Sequence, residues 1–278
     1  MTRTSQYREV VMKRFICTFM LMLTLASSPA WTVSVLGGLT HQMTLAPGEK
    51  KEGTIELYNK DDVAARVRVS QTDYAFFADG RTLYDEAGSS NRSNAGWINV
   101  SPLNVTIPPK ETVSIFYEIT APGDPGLAGT YWSIIMVEPI AETGSGVRGQ
   151  DGKVVLGLQT IVRYAVQIIS DIGETGSSTI SITDNKVVVR DGKTLLQADV
   201  ANVGERWLSP AVWTEFYDKD GRYVGRFDSN RQRVLPSCSV RHLFDLTSVP
   251  RGTYTALFVV DNGDDRVFGT TYEVRLQP

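Results

Sequence analysis

The sequence predicts an all-β protein made of two β-sandwich domains in tandem. After Trp31, helical periodicity is essentially missing, and short runs of strand-forming residues follow one another between turn signals such as Pro47-Gly48 and Asp220-Gly221. Many short strands at this spacing are typical of two sheets packed face to face. The roughly 248 residues that follow the amino-terminal segment suffice for two ordinary domains.

The amino-terminal segment has the three parts of a secretory signal peptide. Lys13 and Arg14 precede an apolar stretch over residues 15–26, and Ser28-Pro29-Ala30 follows as a small-residue cleavage site. We therefore expect residues 1–30 to be removed on export, with Met12 as an alternative translation start. Removal lowers the 28 basic and 31 acidic residues to 24 and 30, a net charge of −6. This balance disfavours nucleic acid as a partner, and no later segment is long enough to predict a membrane span in the mature chain.

The predicted first domain covers residues 31–172. Its strand candidates are residues 53–58, 65–72, 97–99, 112–120 and 131–138, separated by turn-forming residues. A linker of sequence GETGSS then leads into the second domain, residues 173–278. Strands are expected there at 179–183, 186–190, 195–202, 211–218, 223–227, 239–246, 252–261 and 267–276. Turns such as Asp191-Gly192 fit tight hairpins between them.

The run KVVLGLQTIVRYAVQIIS at residues 153–170 is the most distinctive part of the chain. Val154, Leu156 and Leu158 belong to one nearly unbroken apolar face, and Arg163 lies on the other, mixed face. A single strand of this length would extend roughly 55 Å, so part of it is expected at an unpaired edge. There Arg163 would hold a partner's terminal carboxylate. The alternative is that it extends to solvent or pairs with an acid such as Glu118.

No pattern in the sequence predicts catalysis, a cofactor or a metal site. The two histidines, His41 and His242, are far apart and lack metal-ligand spacing, and no zinc, P-loop or dinucleotide motif stands in its proper context. Once the signal peptide is removed, Cys238 stands alone, which excludes an internal disulfide. We therefore predict a protein that is not an enzyme.

Four sequence blocks resemble the periplasmic chaperones of the chaperone-usher pilus pathway. They are GEKKEGTIELYNKDD, WINVSPLNVTIPPKETVSIFYEI, GTYWSIIMVEPI and VVLGLQTIVRYAVQI, in that order over about residues 36–170. The resemblance implies two immunoglobulin-like domains, in which Val154, Leu156 and Leu158 would complete a pilus subunit. It also places Arg163 where the family grips the subunit's terminal carboxylate.

The chain departs from the family at its second basic anchor, where His41 stands in place of an arginine; a histidine with a pKa near 6.5 would be a weaker, pH-dependent anchor. The blocks are also similar to two-domain cell-surface proteins that interact with WxL proteins. Those carry a carboxy-terminal membrane anchor, which this sequence does not show.

These observations predict an exported, periplasmic, chaperone-like factor that captures an extended segment of a secreted or pilus subunit by β-strand addition. An outer-membrane usher would be a second partner. The alternative is a structural or adhesive envelope module, at the cell surface or secreted, that binds protein or glycan through loops at the ends of the sandwich. A hydrolase with carboxylates on one sandwich face is a further alternative.

Overall fold

The computed structural model describes residues 33–140, 161–263 and 267–276. Within these ranges the chain consists of β-strands, turns and one short 3-10 helix at Ala95–Trp97. The expectation of an all-β protein is therefore confirmed. None of the described residues belongs to a helix long and apolar enough to cross a membrane.

Ten strands build the first sandwich. They are β1 (Val33–Leu36), β2 (Thr40–Leu45), β3 (Lys50–Asn59), β4 (Ala65–Phe76), β5 (Thr82–Glu86), β6 (Ile98–Ser101), β7 (Asn104–Ile107), β8 (Thr112–Thr120), β9 (Gly129–Pro139) and β10 (Tyr164–Ile172). One sheet has four strands in the order β1-β3-β8-β6. The other has six, in the order β2-β10-β9-β4-β5, with β7 also paired to β4.

Alternation along the strands places one face of each sheet in the core of the first sandwich. Ile55 of β3 and Ile115 of β8 meet Ile135 of β9 and Ile168 of β10, and all four are fully or almost fully buried. The residues between them point outward, which is the period-two pattern of a half-buried strand. On β10 this places Ala165 and Gln167 on the outer face of the six-stranded sheet, and Arg163 directly precedes the strand.

Seven strands build the second sandwich. They are β11 (Ile180–Arg190), β12 (Lys193–Asn202), β13 (Ala211–Tyr217), β14 (Tyr223–Ser229), β15 (Ser239–Asp245), β16 (Gly252–Asp261) and β17 (Val267–Leu276). The sheet orders are β11-β12-β15 and β14-β13-β16-β17. Both sandwiches follow the immunoglobulin-like arrangement that was predicted, in which neighbouring strands of one sheet come from distant parts of the chain.

One strand boundary predicted for the second sandwich differs in the structure. Residues 179–183 and 186–190 were expected as two strands but form the single strand β11, with an irregular register between Ile182 and Asp184. The polar Asp184-Asn185 pair between the two predicted strands is accommodated at this bulge. The hairpin at Asp191-Gly192 is present, with φ values of 51° and 74° that fit a mirror-image two-residue turn.

Candidate functional site

The described part of β10 has one partly open edge. The strand pairs with β9 along its whole length, from Tyr164 to Ile172, but with β2 only from Gln167 onward. Among the described residues, Tyr164, Ala165 and Val166 therefore have no strand on the β2 side. The unpaired part of the long run was expected at residues 154–158, which lie outside the described residues, so that expectation stays a prediction.

The backbone at Ala165 points toward this open edge. The N–H of Gln167 donates to the carbonyl of Leu39 on the β2 side, over 2.8 Å. Backbone groups alternate in direction along a strand, so Ala165 has the same orientation as Gln167. Among the described residues, no strand pairs with its N–H and carbonyl groups.

Exposed apolar side chains flank the open edge. Leu39 is 45% exposed, and Ile161 and Val162, which lead into β10, are 45% and 48% exposed. An unpaired edge beside apolar side chains is a template for another strand, and most proteins cover or charge such edges.

Arg163 lies at the start of this edge and bonds to a carboxylate on the neighbouring strand. Its Nε is 2.8 Å from Oε1 of Glu138, and the other oxygen of Glu138 is 2.6 Å from an amino group of Arg68 on β4. Hydrogen bonding to Arg68, with a further contribution from the charge of Arg163, holds the pKa of Glu138 below its usual value despite partial burial. Arg68 on β4 and Arg163 just before β10 thus share the carboxylate of Glu138 on β9. The side chains of Arg163 and Arg68 remain 64% and 60% exposed.

The sequence left open whether Arg163 binds a partner's carboxylate or pairs with an acid of its own chain, and this contact answers part of that question. Arg163 does pair with an acid, but the acid is Glu138 rather than Glu118, which pairs instead with Lys50 at 2.5 Å. Glu118 lies on the other sheet of the sandwich, so Arg163 cannot reach it. The guanidinium of Arg163 keeps donors for a ligand, because a guanidinium carries five N–H groups.

The structure does not bring His41 next to Arg163. His41 pairs in register with Ile168, five residues further along β10, or roughly 17 Å away. Its side chain points inward, where Nδ1 lies 2.8 Å from the hydroxyl of Tyr117. Burial raises the pKa of Tyr117 to about 12, so this hydroxyl stays protonated. Val154, Leu156 and Leu158 lie outside the described residues, and their role stays a prediction.

Arg68 and Glu138 are the site residues that the sequence did not single out. Both lie on strands that were predicted, at positions between the buried residues, so their outward direction was readable. Their proximity depends on the register of β4, β9 and β10, where Arg68 pairs with Glu138 and Val137 with Tyr164. Pairing between distant strands cannot be read from one sequence.

Comparison with solved structures finds pilus chaperones, as the sequence resemblance predicted. The class 5 fimbriae chaperone CfaA matches at a TM-score of 0.47 and 12% identity, over 88% of this chain and 100% of that one. The CsuC–CsuE chaperone–tip subunit complex of Acinetobacter baumannii matches at 0.43 and 12%, over 87% and 98%. The SafB chaperone in complex with the SafA pilin of Salmonella enterica matches at 0.42 and 11%, over 88% and 99%.

No family model matches the chain, and no curated protein matches it. At these scores and identities we assign no function from the solved structures.

Proposed function

We propose that this chain is an exported, non-enzymatic chaperone-like protein that captures an extended segment of a secreted or pilus subunit by β-strand addition. The open edge of β10 at Ala165, flanked by exposed apolar side chains, is the observation that supports the proposal. Backbone groups supply most of the affinity in this kind of binding, and pockets for alternate side chains supply the specificity. Val154, Leu156 and Leu158 would extend the same edge toward the amino terminus.

Arg163 and Arg68 would hold the carboxylate at the end of the captured segment. With Glu138 between them, the two guanidinium groups leave one net positive charge, and each has only part of its donors in use. A charge-assisted hydrogen bond to a carboxylate contributes about 1.5 to 3 kcal/mol. We propose Arg68 rather than His41 as the second cation, because His41 is bonded to Tyr117 inside the sandwich.

The family resemblance extends this proposal to place and partners. The solved neighbours include a chaperone bound to a pilin and a chaperone bound to a tip subunit. By analogy we propose the periplasm as the location, a pilus-like subunit as the partner that is captured, and an outer-membrane usher as the partner that receives it.

A proline substitution at Ala165 tests strand addition directly. Proline removes the N–H that points to the open edge, whereas the ladder to β9 uses residues of the other parity, so Ala165→Pro should fold. The probe is a short fluorescent peptide that alternates valine with serine and ends in a free carboxylate. We expect Ala165→Pro to abolish its binding in fluorescence anisotropy, while the control Ala165→Val, which keeps the N–H group, binds normally.

The same peptide with an amidated end tests the carboxylate site. Arg163→Ala and Arg68→Ala should each weaken binding of the free acid by roughly tenfold to a hundredfold and leave the amide unaffected. Equal affinity of Ala165→Pro and Ala165→Val would contradict strand addition. If Arg163→Ala and Arg68→Ala lost affinity for the free-acid and the amidated peptide equally, the arginines would not bind the terminal carboxylate.

A further inference from the structure

A groove on the outer face of the four-stranded sheet forms a second concave surface in the first sandwich. It lies on the opposite side of that sandwich from the outer face that carries Arg163. Its volume is about 480 Å³, within the usual range of ligand sites. The side chains that line it are Glu52, Thr54, Asn99, Ser101, Phe116 and Glu118.

The strand registers place these side chains in two rows across β3, β8 and β6. Phe116 lies between Thr54 and Ser101, and Glu118 lies between Glu52 and Asn99. Three neighbouring strands make each row roughly 10 Å wide. Phe116 is 61% exposed at the centre of the groove, although every other side chain that lines the groove is polar.

Negative charge exceeds positive charge around the ring of Phe116. Glu118 pairs with Lys50 at 2.5 Å, but Glu52 stands directly opposite Glu118 in the antiparallel register. Like charges in this position destabilise a sheet. Glu52 has no hydrogen bond or salt bridge within the part of the chain that the structure describes. Glu56, four residues further on β3, adds a third carboxylate on the same face.

We propose that this groove binds a basic side chain, arginine or lysine, carried by a partner polypeptide. A guanidinium or ammonium group over the face of Phe116 gains a cation–π interaction. The carboxylates of Glu52 and Glu118 accept its N–H donors, and binding relieves the repulsion between them. The hydroxyl groups of Thr54 and Ser101 accept hydrogen bonds at either side of the ring.

The charge and polarity of the groove select this occupant. A purely apolar segment would cover the carboxylate of Glu52 without offering it a hydrogen-bond donor, which is unfavourable. An anionic ligand would be repelled by the carboxylates. This surface shares no residue with the open edge of β10, so the proposal stands or fails independently of strand addition.

The tripeptide acetyl-Gly-Arg-Gly-amide is a suitable probe for this site, with the citrulline analogue as its neutral control. In a titration followed by ¹H–¹⁵N NMR, we expect saturable shifts confined to residues 52–54, 99–101 and 116–118 for the arginine peptide. The lysine analogue should bind at the same residues. The citrulline peptide should cause no saturable shift, and added salt should weaken the binding of the arginine peptide because the charges are exposed.

Two exposed substitutions localise the effect. Glu52→Gln and Phe116→Leu should each lower the affinity for the arginine peptide by roughly fivefold or more. Glu86→Gln, on the exposed strand β5, should leave its affinity unchanged. Equal binding of the arginine and citrulline peptides would overturn the proposal. So would binding of free spermidine without binding of either basic peptide, because the occupant would then be a small polyamine.

Discussion

At the scale of single residues, His242 is a buried histidine with an unsatisfied nitrogen. It lies on β15 with no exposed surface, and Nδ1 is 3.0 Å from the hydroxyl oxygen of Ser229. Nε2 has no hydrogen-bond partner among the described residues. Burial lowers the pKa of His242 to about 4, although the carboxylate of Asp199 acts in the opposite direction. Asp199 is itself held by two hydrogen bonds from Arg241, each 2.7 Å long.

The pKa of His242 predicts a loss of stability in mild acid. In the unfolded chain its pKa returns to about 6.5, so the unfolded state takes up a proton first as the pH falls. The stability that the neutral form of His242 contributes is present above about pH 6.5 and is lost progressively down to about pH 4. The loss at pH 5 is about 2 kcal/mol. We therefore expect the free energy of unfolding, measured with urea at pH 7.5 and pH 5, to fall by about 2 kcal/mol more in the wild type than in His242→Gln. Parallel changes in the two proteins would contradict this role of His242.

At the scale of strands, Gly53 of β3 and Tyr117 of β8 form a cross-strand pair that allows no side chain at position 53. They are paired in register, and a Cβ added at Gly53 would overlap the ring of Tyr117. The ring cannot move away freely, because Tyr117 is only 3% exposed and its hydroxyl bonds to His41. The glycine is thus required by a close approach rather than by a turn.

We expect Gly53→Ala to lower the free energy of unfolding by about 1 to 3 kcal/mol through overpacking. Gly225→Ala on β14 is a matched control, since a Cβ there would meet Phe227 at an ordinary 3.5 Å. In a double-mutant cycle measured by urea unfolding, Tyr117→Val should remove most of the cost of Gly53→Ala. Additive effects of the two substitutions would show that the clash with Tyr117 is not the cause.

Strands with clear apolar alternation were predictable from the sequence, and strands without it were not. Residues 112–120, 252–261 and 267–276 were predicted with the bounds that the structure shows. β5, of sequence TLYDE, was missed because all five of its residues are exposed and it depends on hydrogen bonds to β4. β2 was missed because it alternates Thr40, Gln42 and Thr44 with only three inward residues, and its pairing with β10 is not local.

The same physical limit separates what could be predicted of the candidate site from what could not. The direction of Arg163 and an edge near it follow from periodicity along one strand. The contact of Arg163 with Glu138, and the separation of Arg163 from His41, follow from the register between strands far apart in the chain. Register depends on how whole faces fit together, so it is decided by the folded molecule.

At the scale of the whole molecule, buried polar contacts join the two sandwiches. Asp171, at the end of β10, is 8% exposed and accepts hydrogen bonds from Thr130 at 2.6 Å, Gln42 at 2.7 Å and the indole N–H of Trp207 at 3.2 Å. Trp207 belongs to the second sandwich, and its backbone N–H donates to Thr130.

Apolar contacts and one ion pair extend this junction. Trp132 and Ile169, on the outer face of the six-stranded sheet, pack into the apolar cluster of the second sandwich. Arg92 pairs with Glu205 at 2.9 Å. Gly129, with a φ of 81°, lies so close to the backbone of Glu205 that a side chain would not fit. The junction is therefore packed like a core, and we expect the two sandwiches to unfold together.

Replacing Asp171 with asparagine tests this coupling with little change of shape. The amide NH₂ group would face donors on Gln42 and Trp207 in place of an acceptor, at a cost of about 1 to 3 kcal/mol. In differential scanning calorimetry, we expect one transition for the wild type and two separated transitions for Asp171→Asn. The control Asp184→Asn alters a partly exposed carboxylate on β11 and should keep one transition. Superimposable traces for Asp171→Asn and the wild type would contradict the coupling.

The open edge at Ala165 lies six residues away on β10, roughly 20 Å from Asp171, and is held by β9 of the first sandwich. The valine–serine peptide should therefore bind Asp171→Asn as it binds the wild type, because capture depends on that edge and not on the second sandwich.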